Sequence, residues 1–364
     1  MNFNSDNVYG VHANIMQAMV EANARLTDVS YCHDDGAAES EAALSKIFEK
    51  KVKVFFVLNG TGANSLGLSA LCPAFGGIIC HEGAHINTDE CNCPELFTGG
   101  AKLITVSGTG NKITPEAVAA KLAQFVHGEH GAKPAAFSLS QATELGTVYT
   151  PDEIKVLTTL ARQHGMRSHM DGARFANALS YLGCTPAEMT WKSGIDVLSF
   201  GGTKNGAMIL EAVVFFDETL AADFLYRRKR AGQLLSKGRY LSAQLLAYLK
   251  NDLWLENASR ANVLAAEVAA ALEAVAGVRL AAPVEANEVF PIMPRRLFEA
   301  LQKEGAKFYD WPLDGLAANE CCARLVLSWA TPQDDVTQFC GLVKRLGNWF
   351  SRHPVQRHGA HVRG

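Results

Sequence analysis

Short apolar runs alternate with helical stretches between residues 52 and 215 of this 364-residue chain. Each apolar run has the length of a buried strand, and the stretches between them have the spacing of amphipathic helices. This alternation is typical of βαβ units, so it predicts an α/β fold whose mostly parallel sheet is sandwiched by helices. The predicted strands are 54–58, 77–80, 102–106, 135–139, 167–170, 197–200 and 211–216, and the predicted helices are 65–71, 115–126 and 151–164.

The pattern changes after residue 220. A long basic helix is predicted over 220–249, and an alanine-rich amphipathic helix over 254–276. The order that follows is strand 288–292, helix 295–304, strand 323–328 and a helix opened by Thr331-Pro332, which predicts a small α+β domain. The predicted division is an N-terminal segment 1–15 that reaches the active site, a large domain 16–249, a small C-terminal domain 250–345 and a basic tail 346–364.

Composition argues against several classes of protein. A net charge of −3 gives no general attraction to nucleic acid or to an anionic membrane. The first residues lack the basic and apolar segments of a signal peptide, and no apolar run is long enough to span a membrane. Nine cysteines at irregular spacings, without a C-x2-C pair, argue against a disulfide framework and a zinc site. We therefore expect free thiols, no bound metal and a cytoplasmic protein.

Two residues at the ends of predicted strands carry most of the functional information. Asp171 follows the apolar run 167–170, and Lys204 follows the run 197–200 in a glycine-rich turn. Pyridoxal phosphate (PLP) requires a lysine for its Schiff base and, in many enzymes, a carboxylate that keeps its pyridinium nitrogen protonated. Because ligands bind at the carboxyl ends of parallel strands, the pair predicts a PLP site at that edge of the sheet.

A glycine-rich turn, 59–64, lies between the first predicted strand and the next helix. Gly60 and Thr61 would offer backbone N–H groups and a hydroxyl to a phosphate at the helix start. The turn lacks the Lys-Ser/Thr of a Walker loop and the third glycine of a dinucleotide loop. An ordinary strand-to-helix turn stays open as an alternative, as does a helix N-cap for Asp171 and a surface salt bridge for Arg174.

His81 and His85 follow the strand predicted over 77–80, and Glu90 lies five residues beyond His85. A histidine at a strand end would stack on a flat ring or transfer a proton. The His81-x3-His85 spacing also occurs at helical metal sites, but Gly83 and the preceding strand argue against a helix here. A histidine with a purely structural role stays open as an alternative.

Taken together, five motifs resemble those of the threonine aldolases, which belong to the β-eliminating lyase group of fold-type I PLP-dependent enzymes. The resemblance runs from about residue 2 to 345. The Asp-Gly-Ala-Arg and Thr-Lys motifs are specific in combination, whereas the others are weak alone. The motifs are Asn-Ser-Asp-Asn at 4–7, Gly-Thr at 60–61, Ala-His-Ile at 84–86, His-Met-Asp-Gly-Ala-Arg at 169–174 and Gly-Gly-Thr-Lys at 201–204.

The resemblance implies a PLP site. In that site Lys204 would carry the Schiff base, Asp171 would pair with the pyridinium nitrogen and His85 would stack on the ring. The backbone turn would hold the phosphate, and Arg174 would contact the phenolate oxygen. The implied cofactor-binding residues are Gly60, Thr61, His85, Asp171, Arg174 and Lys204.

The resemblance also implies the reaction, which is cleavage of an L-3-hydroxy-α-amino acid of the threonine, allo-threonine or phenylserine type to glycine and an aldehyde. The substrate carboxylate would be bound by Ser5, Arg174 and Arg324. His85, or a water held by it and Glu90, would remove the hydroxyl proton. His130 would face the side chain or the hydroxyl of the substrate.

Three segments depart from the family pattern. Its Ser-Gly-Thr is Asn-Gly-Thr at 59–61, its Glu-Asn-Thr-His stretch is Ser-Gln-Ala-Thr at 140–143, and its glycine-rich run after a basic segment is Gln-Leu-Leu-Ser-Lys at 233–237. The resemblance implies a homo-oligomer, tetramer or dimer, in which a basic residue reaches the phosphate of a neighbouring subunit. Arg230 and Lys237 are both candidates for that residue, and the preferred side chain of the substrate stays open.

The same lysine and aspartate serve other PLP reactions, so another lyase, a transaminase or a racemase acting on amino acids remains an alternative. A cofactor-free binding or scaffold protein with the same core is a second alternative. The intact Lys204 and Asp171 argue against it.

Overall fold

The computed structural model describes residues 1–352 of the chain, and its largest unit is a seven-stranded sheet. The strands are β1 (Lys53–Val57), β2 (Gly76–His81), β3 (Lys102–Val106), β4 (Lys133–Ser140), β5 (Arg167–Gly172), β6 (Val197–Gly201) and β7 (Glu211–Phe215). Their order is β1-β7-β6-β5-β4-β2-β3. The strands from β3 to β6 pair in parallel, whereas β7 is antiparallel to both β1 and β6. The predicted mostly parallel sheet is therefore confirmed.

Helices cover both faces of this sheet. They are α1 (Ala13–Ala24), α2 (Asp35–Ile47), α3 (Gly60–Leu71), α4 (His85–Thr88), α5 (Cys93–Thr98), α6 (Pro115–Leu122), α7 (Pro151–Gln163), α8 (Phe175–Leu182), α9 (Pro186–Met189), α10 (Phe224–Arg230) and α11 (Arg239–Leu249). Successive strand residues point to opposite faces, so Phe55 packs in the core under α3 and Phe56 in the core under α7 and α8. Two apolar faces explain why the strands are continuous apolar runs.

The single helix predicted over 220–249 is wrong. α10 ends at Arg230, and α11 begins only at Arg239. Gly232 adopts φ 70°, the left-handed conformation that commonly ends a helix. The intervening segment packs on the turn before α3, where Gln233 Oε1 accepts the N–H of Leu58 at 2.9 Å.

A second unit follows α12 (Leu253–Glu273) and contains a five-stranded antiparallel sheet. Its strands are β8 (Arg279–Leu280), β9 (Glu288–Val289), β10 (Pro291–Pro294), β11 (Tyr309–Trp311) and β12 (Glu320–Val326), and its helices are α13 (Arg295–Lys303) and α14 (Gln333–Arg352). The helix α14 continues through 346–352, so this first part of the predicted basic tail is helical. The remainder of that tail lies outside the described residues, and the division at 249/250 stays a prediction.

The N-terminal segment crosses from the small unit to the edge of the large sheet. Phe3 is fully buried in the core of the small unit, where its N–H donates to Lys307 and its carbonyl accepts from Val326. A short 3-10 turn, Asp6–Val8, follows. This attachment brings Asp6 to the edge of the large sheet. No helix in the part of the chain that the structure describes is both long enough and apolar enough to cross a membrane.

Candidate active site

The carboxyl ends of β4, β5 and β6 open into a cavity at the edge where parallel α/β sheets bind ligands. Ionisable side chains from several elements converge there. The cavity is lined by Gly60, Asn64, His85, Glu90, Ser140, Ala142, Thr143, Glu144, Asp171, Ala173, Arg174 and Lys204. A wider cleft lies between α6 and α7, but its charged residues, Glu116 and Lys155, are exposed at the surface.

Asp171 lies at the end of β5 and is buried. Its Oδ2 accepts a hydrogen bond from Asn64 Nδ2 at 2.7 Å, and its Oδ1 accepts one from the N–H of Ala173 at 2.9 Å. The alternative in which Asp171 caps the following helix is not observed, because α8 begins after Arg174. Asp171 is therefore a fixed carboxylate on the wall of the cavity.

A second carboxylate shares the same amide. Asn64 Nδ2 also donates to Glu90 Oε1 at 2.8 Å, and that oxygen lies 2.8 Å from His85 Nδ1. The hydrogen bond to Glu90 raises the pKa of His85 above its ordinary value despite partial burial. Burial raises the pKa of Glu90, and the bond to His85 opposes that rise. The sequence-predicted pair of His85 and Glu90 is thus assembled at the cavity.

His81, by contrast, has a structural role. Its Nε2 lies 3.1 Å from the carbonyl of Gly108, and its Nδ1 accepts the N–H of Gly83 at 3.0 Å. Both ring nitrogens are used by the backbone.

Lys204 lies on the 3-10 segment Thr203–Asn205, directly after β6. Glycine is needed on either side of it. A Cβ on Gly201 would lie 2.8 Å from the Cα of Ala173, and Gly206 adopts φ 112°. Lys204 is half-buried, and its positive charge lowers the pKa of Asp6 and opposes the rise in the pKa of His85. Its amine therefore lies close enough to interact with both groups.

The turn before α3 has the form of an anion-binding helix start. Asn59 is the N-cap, and its side chain accepts the N–H of Gly62 at 2.7 Å. The helix therefore begins at Gly60, five residues before the predicted start. The first N–H groups of a helix have no acceptor within the helix, so Gly60, which lines the cavity, presents a donor there. Thr61 follows it in the first turn but does not line the cavity.

Arg174 and Arg324 are held together by carboxylates. Asp6 accepts from Arg174 Nε at 2.9 Å and from Nη2 at 3.1 Å. Glu288 lies between the arginines, with Oε2 3.1 Å from Arg174 Nη1 and Oε1 3.0 Å from Arg324 Nη2. Burial opposes ionisation of Asp6, but Arg174 and Lys204 outweigh it and hold the pKa of that carboxyl below its ordinary value. The surface salt bridge considered for Arg174 is instead an almost buried network.

Several predicted residues lie away from the cavity wall. Ser5 caps the 3-10 turn that carries Asp6, and its Oγ accepts the N–H of Asn7. His130 is exposed just before the amino end of β4, whereas the cavity lies at the carboxyl end of that strand. Arg230 and Lys237 are exposed as well. The predicted roles of these residues stay predictions.

Four site residues were missed by sequence reasoning. Asn64 is a buried polar residue on the mostly apolar helix α3, and Glu288 is a buried carboxylate at the start of β9, so each could have been noticed as a polar residue in a buried segment. Asp6 adjoins the predicted Ser5, and Glu144 follows the strand β4 that ends at the cavity. The structure assigns contacts to all four.

Solved structures place the architecture in a class. A threonine aldolase from Leishmania major matches with a TM-score of 0.89 and 29% identity, over 95% of this chain and 99% of that one. A serine palmitoyltransferase from Sphingomonas wittichii matches with a TM-score of 0.71 over 97% of this chain and 88% of that one, but at 13% identity this likeness shows the fold alone. The fold is that of the fold-type I PLP-dependent enzymes, which confirms the predicted fold class.

Sequence comparison narrows the class further. The model of the family described as Beta-eliminating lyase matches residues 2–294. A Low specificity L-threonine aldolase from a Pseudomonas species is 43% identical over 94% of this chain and 97% of that protein. The chain therefore belongs to the β-eliminating lyase family, and the resemblance noted in its motifs is confirmed.

Proposed function

We propose that this protein is a PLP-dependent aldehyde-lyase that cleaves an L-3-hydroxy-α-amino acid, of the threonine, allo-threonine or phenylserine type, to glycine and an aldehyde. The observation that carries the proposal is the convergence of Lys204 and Asp171 in one cavity at the carboxyl edge of the sheet. The names of the Pseudomonas and Leishmania relatives support this reaction.

The residues present fit PLP. The cavity combines a half-buried lysine, a buried carboxylate and a helix start, which match the aldehyde, the ring nitrogen and the phosphate of that cofactor. A Cβ built on Gly60 would meet no atom within 4 Å, so there is open space beside the helix start. Lys204 would bind the cofactor covalently, Asp171 would face its nitrogen, His85 its ring, and Gly60 with Thr61 its phosphate.

The cofactor and the protein would make different contributions to the reaction. When bound, PLP supplies an electron sink for the pair released as the Cα–Cβ bond breaks. Asp171 supplies a fixed negative charge, because Asn64 and Ala173 orient both of its oxygens. Because Asn64 and Ala173 hold the Asp171 carboxylate in one orientation, its charge is in place before the reaction begins, which is electrostatic preorganisation.

The arginines would orient the substrate. Asp6 accepts from Nε and Nη2 of Arg174, and Glu288 Oε2 lies 3.1 Å from Nη1, so one N–H on each terminal nitrogen remains for a substrate carboxylate. Arg324 lies over Trp311, with 5.2 Å from its guanidinium carbon to the ring centroid. This contact, together with Glu288, holds the Arg324 guanidinium near that of Arg174. Holding the carboxylate fixes the direction of the Cα–Cβ bond, on which cleavage depends.

His85 would act over the ring face. Its Nδ1 is engaged by Glu90, so Nε2 is the ring nitrogen available to a ligand. The hydrogen bond to Glu90 raises the pKa of His85, which favours the protonated, hydrogen-bond-donating ring more than in an ordinary histidine. The earlier prediction that His85 is the base stays untested.

We also propose that the enzyme is a cytoplasmic homo-oligomer, a tetramer or a dimer, that acts on a small amino acid and binds neither nucleic acid nor membrane. The nine cysteines are free thiols, which suits a reducing compartment. The net charge of −3 offers no basic surface for nucleic acid.

The test combines a spectrum with product analysis. The purified protein should show a near-visible absorbance band that changes when glycine is added, and it should release glycine and an aldehyde from threonine or phenylserine. Lys204→Ala should lose both the band and turnover, whereas Lys192→Ala, an exposed lysine paired with Glu49, should keep them. A Lys204→Ala variant with normal turnover would refute the proposal, and pyruvate and ammonia as products would point to another lyase.

A further inference from the structure

Glu144 lines the cavity on a loop between β4 and α7 and has no role in the site described above. Its Oε1 accepts two hydrogen bonds, from Ser140 Oγ at 2.6 Å and from the N–H of His85 at 2.9 Å. Glu144 therefore contacts the end of β4 and the start of α4, the two elements that bring Ser140 and His85 to the cavity. It is fixed next to the residue predicted to cover the ring.

The second oxygen of Glu144 has a different environment. Its Oε2 is buried and has no hydrogen-bond partner among the described residues. Anchoring the His85 backbone needs only one oxygen, and an amide would do it as well. A buried, unpaired carboxylate oxygen is costly, so its presence at the cavity points to a partner that arrives with a ligand.

The surroundings of Glu144 tune its protonation. Burial raises its pKa to about 7, the hydrogen bonds from Ser140 and His85 oppose the rise, and the charge of Asp171 adds to it. The other titratable groups that face it are Cys80, Tyr149, His85 and Glu90. Burial raises the pKa of Cys80 to about 12 and that of Tyr149 above its ordinary value, so both stay protonated near neutral pH.

We propose that Glu144 is a catalytic residue whose Oε2 takes the proton from the side-chain hydroxyl of the substrate. The inference rests on the proposed function. In the cleavage direction the O–H bond breaks, its electron pair forms the C=O bond of the aldehyde, and the Cα–Cβ pair stays with the glycine fragment. The proton gained by Glu144 balances the one that the glycine Cα must take up, so no other reactant is needed. His85, whose Nδ1 is engaged by Glu90, would donate from Nε2 to the same substrate oxygen.

The isosteric variant Glu144→Gln separates this role from anchoring. Glutamine keeps an oxygen for Ser140 and His85 but cannot accept a proton. With phenylserine, we expect kcat to fall about 100-fold or more, with KM little changed, and the acidic limb of the kcat profile near pH 7 to disappear. Glu144→Asp should keep that limb with reduced kcat. Glu285→Gln is the matched control, because Glu285 accepts the N–H of Val148 in the same loop, and it should behave as the wild type.

Each outcome decides the inference. If Glu144→Gln retains kcat within about threefold and the same pH limb, Glu144 only anchors the loop. If Glu144→Gln does not fold, infrared titration of the wild-type carboxyl decides. An apparent pKa near the limb supports the role, and one near the ordinary glutamate value overturns it. A wild type that releases no glycine would refute the proposed function itself, and the inference with it, which the product assay detects independently of Glu144.

Discussion

The side-chain amide of Asn64 lies 2.7 Å from Oδ2 of Asp171 and donates a hydrogen bond to it. Asn64 is on α3, the helix that also begins at the predicted phosphate turn, whereas Asp171 ends β5. One helix therefore sets the relative positions of the carboxylate and the phosphate turn. A second bond from the same nitrogen to Glu90 extends this control to His85.

Replacing Asn64 by aspartate tests this relationship. The substitution removes the shared donor and places a third carboxylate between Asp171 and Glu90, so we expect kcat/KM to fall at least 100-fold and stability to fall by roughly 2–4 kcal/mol. Steady-state kinetics and chemical unfolding measure the two effects separately. Asn87→Asp, an exposed change on α4, is the control. Near-normal kcat/KM and stability in Asn64→Asp would show that the amide bridge does not organise the site.

The arginine network predicts a graded response to lysine substitutions. Lysine lacks the planar fork that Arg324 and Arg174 use. Arg324→Lys should raise KM for the amino acid about tenfold while the cofactor band is retained. Arg174→Lys should also lower stability by roughly 2–4 kcal/mol, because the buried Asp6 loses its paired donors. Arg279→Lys, at an exposed pair with Glu320, should leave KM unchanged. Equal KM values for all three variants would contradict the assigned carboxylate site.

Substituting Gly60 at the start of α3 should weaken cofactor binding without changing the stability of the cofactor-free protein. An added Cβ has open space in this structure, so Gly60→Ala should fold with unchanged stability before the cofactor is added. If the phosphate occupies that space, affinity for PLP should fall at least tenfold. Equilibrium titration of the cofactor-free protein measures this. Gly341→Ala on α14 also has open space and should alter neither property beyond a small helix-stabilising effect. Unchanged PLP affinity in Gly60→Ala would place the phosphate elsewhere.

Glu211 predicts a pH-dependent stability. Burial raises its pKa to about 7, against an ordinary value of 4.5, although Thr203 and Lys204 oppose the rise. Between those two pH values the unfolded chain has lost the proton that the folded chain keeps, so the free energy of unfolding falls as pH rises. Glu211→Gln removes this loss and should be more stable than the wild type above pH 7, by on the order of 2 kcal/mol, but not below pH 4.5. Denaturant unfolding across pH checks this, with the exposed Glu218→Gln as control. A constant difference between variant and wild type would contradict the assignment.

The sequence could predict those parts of the fold and site that depend on local pattern. The strands of the large sheet are continuous apolar runs because both faces are covered, and Asp171 and Lys204 stand where such runs end. The gap between α10 and α11 escaped prediction because the residues on both sides favour helix and only the left-handed Gly232 separates them. Ion-pair partners that come from distant parts of the chain could not be predicted from local sequence either. Nothing local in Asp6 or Glu288 shows that tertiary packing will bring both to Arg174.

The burial of Phe3 links the core of the small unit to Arg174. Three residues after Phe3, the same segment carries Asp6, whose carboxylate accepts two hydrogen bonds from Arg174. A substitution that loosens Phe3 in its core would therefore also displace the carboxylate that orients Arg174, although Phe3 itself lies away from the cavity.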